Sequence, residues 1–250
     1  MNISIAAETI FRIGTFPVTN TLLMTLVISL IIIIASFILK SRIRLVPRGF
    51  QNLVETVFEA LLNLIDSVTQ DRKQSKKFFP IVVTIFIFVI LTNWIEIIPG
   101  LGTIGIFEHH NGETILVPFI RSGSADLNMT LALAIISVIS AQILGIMAIG
   151  IGKYAQKFFI SPLHKPYFVG TFVGALELIS EVAKIISFSF RLFGNIFAGE
   201  VLLMVMLFLV PYFVPLPFLF LELFVGFVQA LVFSMLTLVF FKMAVTEAAH

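Results

Sequence analysis

The sequence contains no cysteine in its 250 residues. This absence excludes disulfide bonds, thiolate metal sites and thiol catalysis. The sequence also has no glycine-rich phosphate loop, no set of histidine and cysteine ligands, and no serine, histidine and aspartate arrangement typical of nucleophilic catalysis. We therefore predict that the chain is not an enzyme by itself and that it binds no cofactor or metal.

Charged residues are also scarce, at 12% of the sequence against 59% apolar residues, and the mean hydropathy is +1.09. No polar stretch is long enough to enclose the core of a separate soluble domain. These values lie outside the range of soluble proteins and inside that of polytopic membrane proteins. We predict a single all-α membrane domain over residues 1–250, embedded in lipid and with no nucleic-acid partner.

Five apolar stretches are long enough to cross the hydrocarbon layer as helices. The first lacks the basic start and small-residue cleavage site of a signal peptide, so we expect it to be a retained span. The fourth contains no proline, and as one helix of about 60 Å it must tilt or bend in a layer about 30 Å thick. The predicted spans are residues 21–39, 79–98, 129–151, 168–210 and 219–244, the last two forming a long tilted C-terminal hairpin.

The segment 50–68 repeats apolar residues at i, i+3 and i+4 with polar residues opposite, so we predict an interfacial amphipathic helix. Basic residues flank this segment and recur in alternate loops, which predicts an N-terminus outside and a C-terminus inside. The basic residues of the predicted inner side are Lys40, Arg42, Arg44, Arg48, Arg72, Lys73, Lys76, Lys77, Lys153, Lys157, Lys165 and Lys242. Of these, Arg72 to Lys77 fall in a predicted inner loop over residues 71–77.

Two outer connections are predicted to be irregular. Pro211, Pro215 and Pro217 are expected to form the turn between the last two spans. The connection from Gly100 to Leu127 has few basic residues, as expected of an outer loop. Its two adjacent histidines, His109 and His110, could bind a metal, but we predict that they are solvated.

The fourth span carries many polar side chains for a segment at bilayer depth. At about 100° per residue, they share one face with Arg191. A charge at mid-bilayer costs from about 3 to more than 10 kcal/mol, so this stripe needs a reason. Arg191 keeps its proton at any ordinary pH, so it can attract an anion or oppose a cation but cannot relay a proton. The stripe consists of Glu177, Ser180, Lys184, Ser187, Arg191 and Asn195.

Glu200 lies nine residues beyond Arg191, on the opposite helix face by the same count. Glu222 and Gln229, seven residues apart, share a face of the last span. Carboxylates near the outer helix ends complete an outer set of Glu96, Asp126, Glu200 and Glu222, against an inner set of Glu177, Glu181 and Lys184. With Arg191 between the two sets, the pattern predicts two half-pathways that do not join.

Structural alternatives stay open for these groups. Arg191 could pair with Glu177 or Glu181 of its own helix, although Lys184 is better placed to pair with Glu181. Otherwise its counter-ion belongs to another subunit. Glu200 and Glu222 could be hydrogen-bonded, protonated carboxyls of the core. Small residues at Gly194 and Ala198, and at Gly226 and Ala230, would allow another helix to approach closely.

The motif RLFGN at residues 191–195, continuing to Ala198-Gly199-Glu200, closely resembles the signature of subunit a of rotary F-type ATP synthases. The resemblance extends over nearly all of the chain after about residue 20. Further matches, in order, are Asn93 with Glu96 and Pro99, Ser124-Ala125-Asp126-Leu127-Asn128, Glu177, and Gln229 in VQALVFSMLTLVF.

The resemblance implies a stator subunit that packs against a ring of c subunits, with peripheral-stalk b subunits and the rest of the ATP synthase as further partners. It implies that Arg191 faces each passing c-ring carboxylate and separates two offset half-channels, with Gln229 close by. The outer half-channel would contain Glu96, Asp126, Asn128, Glu200 and Glu222, and the inner one Glu177 and its neighbouring serines. The ion-translocation residues predicted in total are Asn93, Glu96, Asp126, Asn128, Glu177, Ser180, Lys184, Ser187, Arg191, Asn195, Glu200, Glu222 and Gln229.

A self-contained ion-coupled transporter is the alternative function, and it would require internal repeats with broken helices in matching halves. A purely structural scaffold would leave the Arg191 stripe unexplained. Whether the ion is H⁺ or Na⁺ stays open, as does the division of labour between Glu200 and Glu222, because some family members have histidine at the latter position. We expect a bacterial inner membrane, with an organellar inner membrane as the alternative.

Overall fold

The computed structural model describes residues 7–98, 104–110, 113–155, 169–210 and 212–246. This part of the chain is an all-α membrane protein with two small β-hairpins. The helices are α1 (Asn20–Arg42), α2 (Phe50–Thr69), α3 (Arg72–Ile95), α4 (Leu127–Ile149), the short α5 (Ile151–Ala155), α6 (Val169–Leu209) and α7 (Pro215–Thr246). The hairpins join β1 (Thr9–Ile13) to β2 (Phe16–Thr19) and β3 (Gly105–His110) to β4 (Glu113–Pro118).

Five helices, α1, α3, α4, α6 and α7, are long and apolar enough to span a membrane, as predicted. The amphipathic α2 is not among them. It buries Leu61, Ile65 and Thr69 against the bundle, and Lys242 Nζ of α7 donates a hydrogen bond to the Val68 carbonyl oxygen at 2.5 Å. The predicted amphipathic helix therefore lies against the ends of α3 and α7.

The second span begins earlier than its apolar run. The carboxylate of Asp71 accepts the Lys73 backbone N–H at 2.9 Å and caps α3, so Arg72 already lies in the helix. The prediction of a loop over residues 71–77 was therefore wrong. The helix also ends at Ile95, before the predicted residue 98, so Glu96 lies one residue beyond the span.

The C-terminal hairpin differs from the prediction at its turn. Pro215 is the first residue of α7 and Pro217 lies in its first turn, where no intrahelical partner is needed for the missing N–H. Placing both prolines in the turn was wrong, and Pro211 lies outside the described residues. Helix α6 is continuous over 41 residues, as the long fourth span predicted.

The predicted outer connection from Gly100 to Leu127 is not wholly irregular. Strands β3 and β4 pair in register from Gly105 opposite Pro118 to His110 opposite Glu113. Their β-branched and aromatic residues favour strands, a signal that the loop prediction overlooked. The side chains of both histidines lie outside the described part, and the residues searched contain no group of three or more potential metal ligands.

The inner loop that was predicted from Lys157, Lys165 and its prolines falls in 156–168, outside the described residues. Before it, α4 ends at Ile149 rather than residue 151. Gly150 adopts a positive φ of 85° that side-chain-bearing residues rarely adopt, and this conformation separates α4 from α5.

The core lies between α3, α4, α6 and α7. Phe188 of α6 stacks on Phe233 of α7 with ring centroids 3.8 Å apart, and Phe78 meets Phe241 edge to face. Helix α1 is peripheral, because it buries residues only in its first half. That half packs at one end of the bundle, the end where α1 begins. We call it the outer end.

Candidate functional site

Four charged residues meet at the outer end of the bundle. Because α3 and α6 finish there and α7 starts there, their ends bring together residues distant in sequence. We call this group the outer cluster; it consists of Glu96 after α3, Arg121 before α4, Glu200 of α6 and Glu222 of α7. The structure thus joins three of the four predicted outer carboxylates and adds an arginine that the sequence-based prediction missed.

Arg121 binds Glu200 through two nitrogen atoms. Its Nε lies 3.1 Å from Oε1, and its Nη2 donates a hydrogen bond to Oε2 at 3.2 Å. The side chains are 7% and 12% exposed, so the pair is largely shielded from solvent. Of these two contacts only that of Nη2 has hydrogen-bond geometry, so the carboxylate is held by one charge-assisted hydrogen bond and a close ion-pair contact. The available sequence signal was one arginine in a connection otherwise poor in basic residues.

Glu222 approaches this pair from α7. Its carboxylate lies against the Cα of Gly199, and a Cβ atom added at that glycine would overlap both carboxylate oxygens. Glu222 is 9% exposed and makes no hydrogen bond or ion pair with any residue that the structure describes. Its charged neighbours include Glu200 and Glu96. Gly199 therefore allows a buried carboxyl without a partner in the described chain to reach α6.

Glu96 is half-buried and accepts a hydrogen bond from the Ser122 backbone N–H. Burial raises the pKa of Glu96 to about 8, with further increases from the charges of Glu200 and Glu222, while Arg121 and the Ser122 hydrogen bond act in the opposite direction. A carboxyl with such a pKa exchanges its proton near neutral pH. Glu96 is therefore the member of the outer cluster whose protonation is expected to change near neutral pH.

The other residues predicted on the outer side have structural contacts. The Asp126 carboxylate caps α4 by accepting the Asn128 backbone N–H at 2.9 Å and accepts the Thr21 hydroxyl at 2.8 Å. These contacts join α1 to α4 and do not include the outer cluster. The Asn128 side chain is exposed. Asn93 Nδ2 donates to the Gly226 carbonyl oxygen at 2.9 Å, across the contact between α3 and α7.

The polar stripe of α6 divides along its length. Glu177, Ser180 and Lys184 are half-buried, and Lys184 Nζ lies 2.9 Å from Glu181 Oε1, as predicted from their spacing. Both members of this pair also line a small pocket with residues of α4, α5 and α7. The inner set is thus in part paired within the chain.

The remaining stripe residues, Ser187, Arg191 and Asn195, are exposed. Arg191 makes no hydrogen bond or ion pair with any residue in the described ranges. An internal pair with Glu177 or Glu181, which the sequence left open, is therefore not found.

The surface around Arg191 is open and composed of small residues. Next to it, Leu192 and Ile196 are fully buried, whereas a Cβ added at Gly194 would meet no atom within 4 Å. We call this surface the uncovered face of α6; its residues are Ala183, Ser187, Arg191, Gly194, Asn195 and Ala198. Gln229 of α7 is half-buried and has no described hydrogen-bond partner.

Comparisons with known proteins place these features in one family. The family model described as "ATP synthase A chain" matches residues 21–242, which include the outer cluster and the uncovered face. The chain is similar to ATP synthase subunit a of Campylobacter jejuni, at 36% identity over 229 residues and 89% of each chain. It is also similar to ATP synthase subunit a of Campylobacter concisus, at 35% identity over 89% of this chain and 88% of the relative. For the protein of the same name from Syntrophobacter fumaroxidans the identity is 30% over 95% and 88%.

Proposed function

We propose a specific role in proton translocation for this chain, which belongs to the ATP synthase A chain family. The family that the RLFGN motif indicated is thereby confirmed. Its members are named as subunits of ATP synthase, so the chain is a membrane component of that enzyme. Our proposal is that it acts as a stator subunit, offering protons two offset half-channels to the carboxylates of a c-subunit ring, with Arg191 as the barrier and counter-ion between them.

The observation that carries this proposal is that Arg191 is exposed and has no partner among the described residues. It is the twenty-third residue of the 41-residue apolar helix α6. A permanent charge at bilayer depth is costly unless an anion or water meets it. A carboxylate on a partner that packs against the uncovered face would supply that anion, and the small residues there would allow a partner helix to approach.

The positions of the outer and the inner polar residues support a proton path that is divided into two halves. The outer cluster lies on the buried side of α6, and the residues that we assign to the inner half-channel, Glu177, Ser180, Lys184 and Ser187, lie on the stripe that leads to Arg191. A proton gains about 2.3 kcal/mol per 100 mV, and rotation captures this energy only if no continuous path exists. A fixed positive charge at the junction opposes proton passage. We assign Asn195 and Gln229 to positions beside this barrier.

The assembly and its orientation follow as parts of the same proposal. The c ring would cover the uncovered face, and the peripheral-stalk b subunits would contact other surfaces of this multi-pass protein. The basic residues that follow α1 and surround the α2–α3 connection favour an N-terminus outside and a C-terminus in the cytoplasm of a bacterial cell. No observation favours the alternative of a self-contained transporter, since within the described ranges α6 and α7 run unbroken over 41 and 32 residues.

The proposal is tested by replacing Arg191 with alanine and with lysine in the complete enzyme. Both variants should abolish ATP-driven proton pumping in membrane vesicles while leaving the subunit in the membrane at normal levels, because the side chain has no partner among the residues that the structure describes. Full coupled pumping by either variant would refute the role. The matched control is Arg12→Gln, which removes an exposed arginine of β1 and should leave pumping unchanged.

A cross-linking experiment tests the partner separately. Because the sequence has no cysteine, Asn195→Cys places a single thiol in this subunit on the uncovered face. A cysteine on the carboxylate-bearing helix of the c subunit should form a disulfide with it. The control Ile139→Cys places a thiol on an exposed position of α4 and should give no cross-link. Equal cross-linking at both positions would contradict the proposed ring interface.

A further inference from the structure

We propose that a cleft between the last turns of α1 and the start of α2 binds an anionic phospholipid of the surrounding membrane. Its phosphate would be held by Arg42, Arg44 and Arg48, and an acyl chain would lie along α1. The cleft is at the end of α1 opposite to the outer end, so it is separate from the outer cluster. The inference goes beyond the proposed function and does not depend on the role of Arg191.

The cleft has an apolar wall that leads to a basic end. It has a volume of about 450 Å³, and its apolar residues are Ala35, Ile38 and Leu39 of α1 and Phe50 of α2. The three residues of α1 are spaced i, i+3 and i+4, so they share one helix face, and Arg42 continues this face at i+7. Helix α1 buries residues only in its first half, so this stretch is open to lipid. The wall therefore offers a path for an acyl chain that ends at an arginine.

The basic end of the cleft carries uncompensated positive charge. Arg42, Arg44 and Arg48 all line the cleft and all are exposed. Within the described ranges, their side chains make no hydrogen bond or ion pair, and no acidic side chain lines the cleft. Arginine keeps its proton, so the three like charges persist at any ordinary pH. A phosphate would offset this charge, and the planar guanidinium group suits binding to two phosphate oxygens.

The connection that carries these arginines is held in place by Gln51. Its Oε1 accepts a hydrogen bond from the Arg44 backbone N–H at 3.1 Å, and its Nε2 donates to the Arg44 carbonyl oxygen at 2.9 Å. The same Nε2 donates to Glu55 Oε1 at 2.7 Å, which ties the connection to the next turn of α2. A ligand would thus meet an arginine backbone that is already ordered, which reduces the entropy lost on binding.

The apolar residues around the arginines favour a lipid over other anions. Ile43, Leu45 and Val46 alternate with the arginines along the connection and are largely exposed. Apolar side chains that reach the acyl boundary, with charged groups at head-group level, are typical of a segment at the membrane interface. A soluble phosphate would contact only the basic end. An irregular acidic peptide would bring unsatisfied backbone groups against the apolar wall, which is costly at this depth.

The test uses the complete enzyme reconstituted in vesicles that contain phosphatidylglycerol with a photoreactive acyl chain. Labelled residues are mapped by mass spectrometry, and phosphatidylcholine with the same chain is the comparison. Phosphatidylglycerol should label the cleft-facing residues of α1 at least about fivefold more than phosphatidylcholine, since each basic residue near the membrane favours anionic lipid by about that factor. Equal labelling by the two lipids would overturn the proposal.

Two triple variants test the arginines. Replacing Arg42, Arg44 and Arg48 together by glutamine should lower the phosphatidylglycerol labelling of the cleft about tenfold or more. Replacing all three by lysine keeps the charge, and with it the signal for membrane orientation, but loses the planar fork, so labelling should fall about threefold. If the glutamine variant does not insert, the lysine variant still decides. Wild-type labelling in the lysine variant would show a general attraction to the membrane surface, and the specific site would be refuted.

The matched control removes the same charge elsewhere on the same side of the membrane. Lys73, Lys76 and Lys77 are exposed at the start of α3, and their side chains have no described partner. Their triple replacement by glutamine should leave labelling of the cleft within about twofold of the wild type, because these lysines do not line it. A loss as large as that in the arginine variant would contradict a local site.

The shape of the cleft is tested without any change of charge. Ala35→Phe places a ring in the cleft and should reduce labelling about threefold or more, whereas Ile34→Phe changes an exposed neighbour outside the cleft and should not. Displacement of the lipid by inorganic phosphate would identify a soluble anion as the ligand. Labelling of the isolated subunit that is absent from the complete enzyme would identify a partner chain. Either result would overturn the proposal, while the Arg191 variants test the proposed function separately.

Discussion

Two arginines of this chain occupy opposite electrostatic situations. Arg121 is 6% exposed and binds Glu200 through two nitrogens, whereas Arg191, nine residues before that glutamate on the same helix, is exposed and has no partner in the described chain. A buried charge with its own anion belongs to the folded subunit. Under the proposed function, the open charge of Arg191 faces another molecule of the assembly.

The largest expected effect separates the two arginines by stability. In the full-length subunit produced without the c ring, Arg121→Leu leaves the Glu200 carboxylate buried without its cation and should cost about 3–5 kcal/mol. Arg191→Leu removes an uncompensated charge from an apolar surface and should leave the subunit equally or more stable. Thermal unfolding and protease resistance of the purified chain measure both. Equal losses in the two variants would remove the distinction between them.

The sequence pattern indicated Arg191 as a candidate site residue but gave no indication of Arg121, and the reason is physical. Helical periodicity showed that Arg191 and Glu200 lie on opposite faces of α6, and the structure confirms this separation. Periodicity carries no information about Arg121, because this residue lies in a connection and its contact to Glu200 spans 79 positions. The same limit hid the β3–β4 hairpin. Capping by Asp71 lets α3 begin before its apolar run, and a proline begins α7 before the predicted span. The predicted boundaries were based on the apolar runs and therefore placed both helix starts too late.

The two faces of α6 also differ in their glycines, and this gives the second prediction. Gly199→Ala places a methyl group in the space of the Glu222 carboxylate, so it should destabilise the subunit by about 1–3 kcal/mol and reduce proton pumping. Gly194→Ala adds a methyl group to open space and should stabilise the isolated subunit by up to about 1 kcal/mol. Unfolding of the subunit and pumping by the complete enzyme test the pair. Clear destabilisation by Gly194→Ala would contradict the finding that Gly194 borders open space.

Two asparagines extend this comparison of buried and exposed side chains to smaller expected effects. Asn93→Leu removes the hydrogen bond to the Gly226 carbonyl oxygen between α3 and α7, and it should destabilise the subunit by about 1–3 kcal/mol. Asn195→Leu changes an exposed side chain with no described partner, so it should leave the stability of the isolated subunit unchanged. In the assembled enzyme the order should reverse, with the second variant the more harmful to pumping per complex. Chemical unfolding and vesicle assays give the two rankings.

The smallest effect is expected where buried hydroxyls pair inside the bundle. Thr237 of α7 donates to Ser137 of α4 at 3.2 Å, and both are fully buried, away from the outer cluster and from the uncovered face. Thr237→Val keeps the shape of the side chain and removes the donor, so the loss should be about 1 kcal/mol or less. Pumping per assembled complex should stay at the wild-type level. A large loss of pumping without loss of stability would show that protons also use this buried contact, and the division into two functional faces of α6 would then be incomplete.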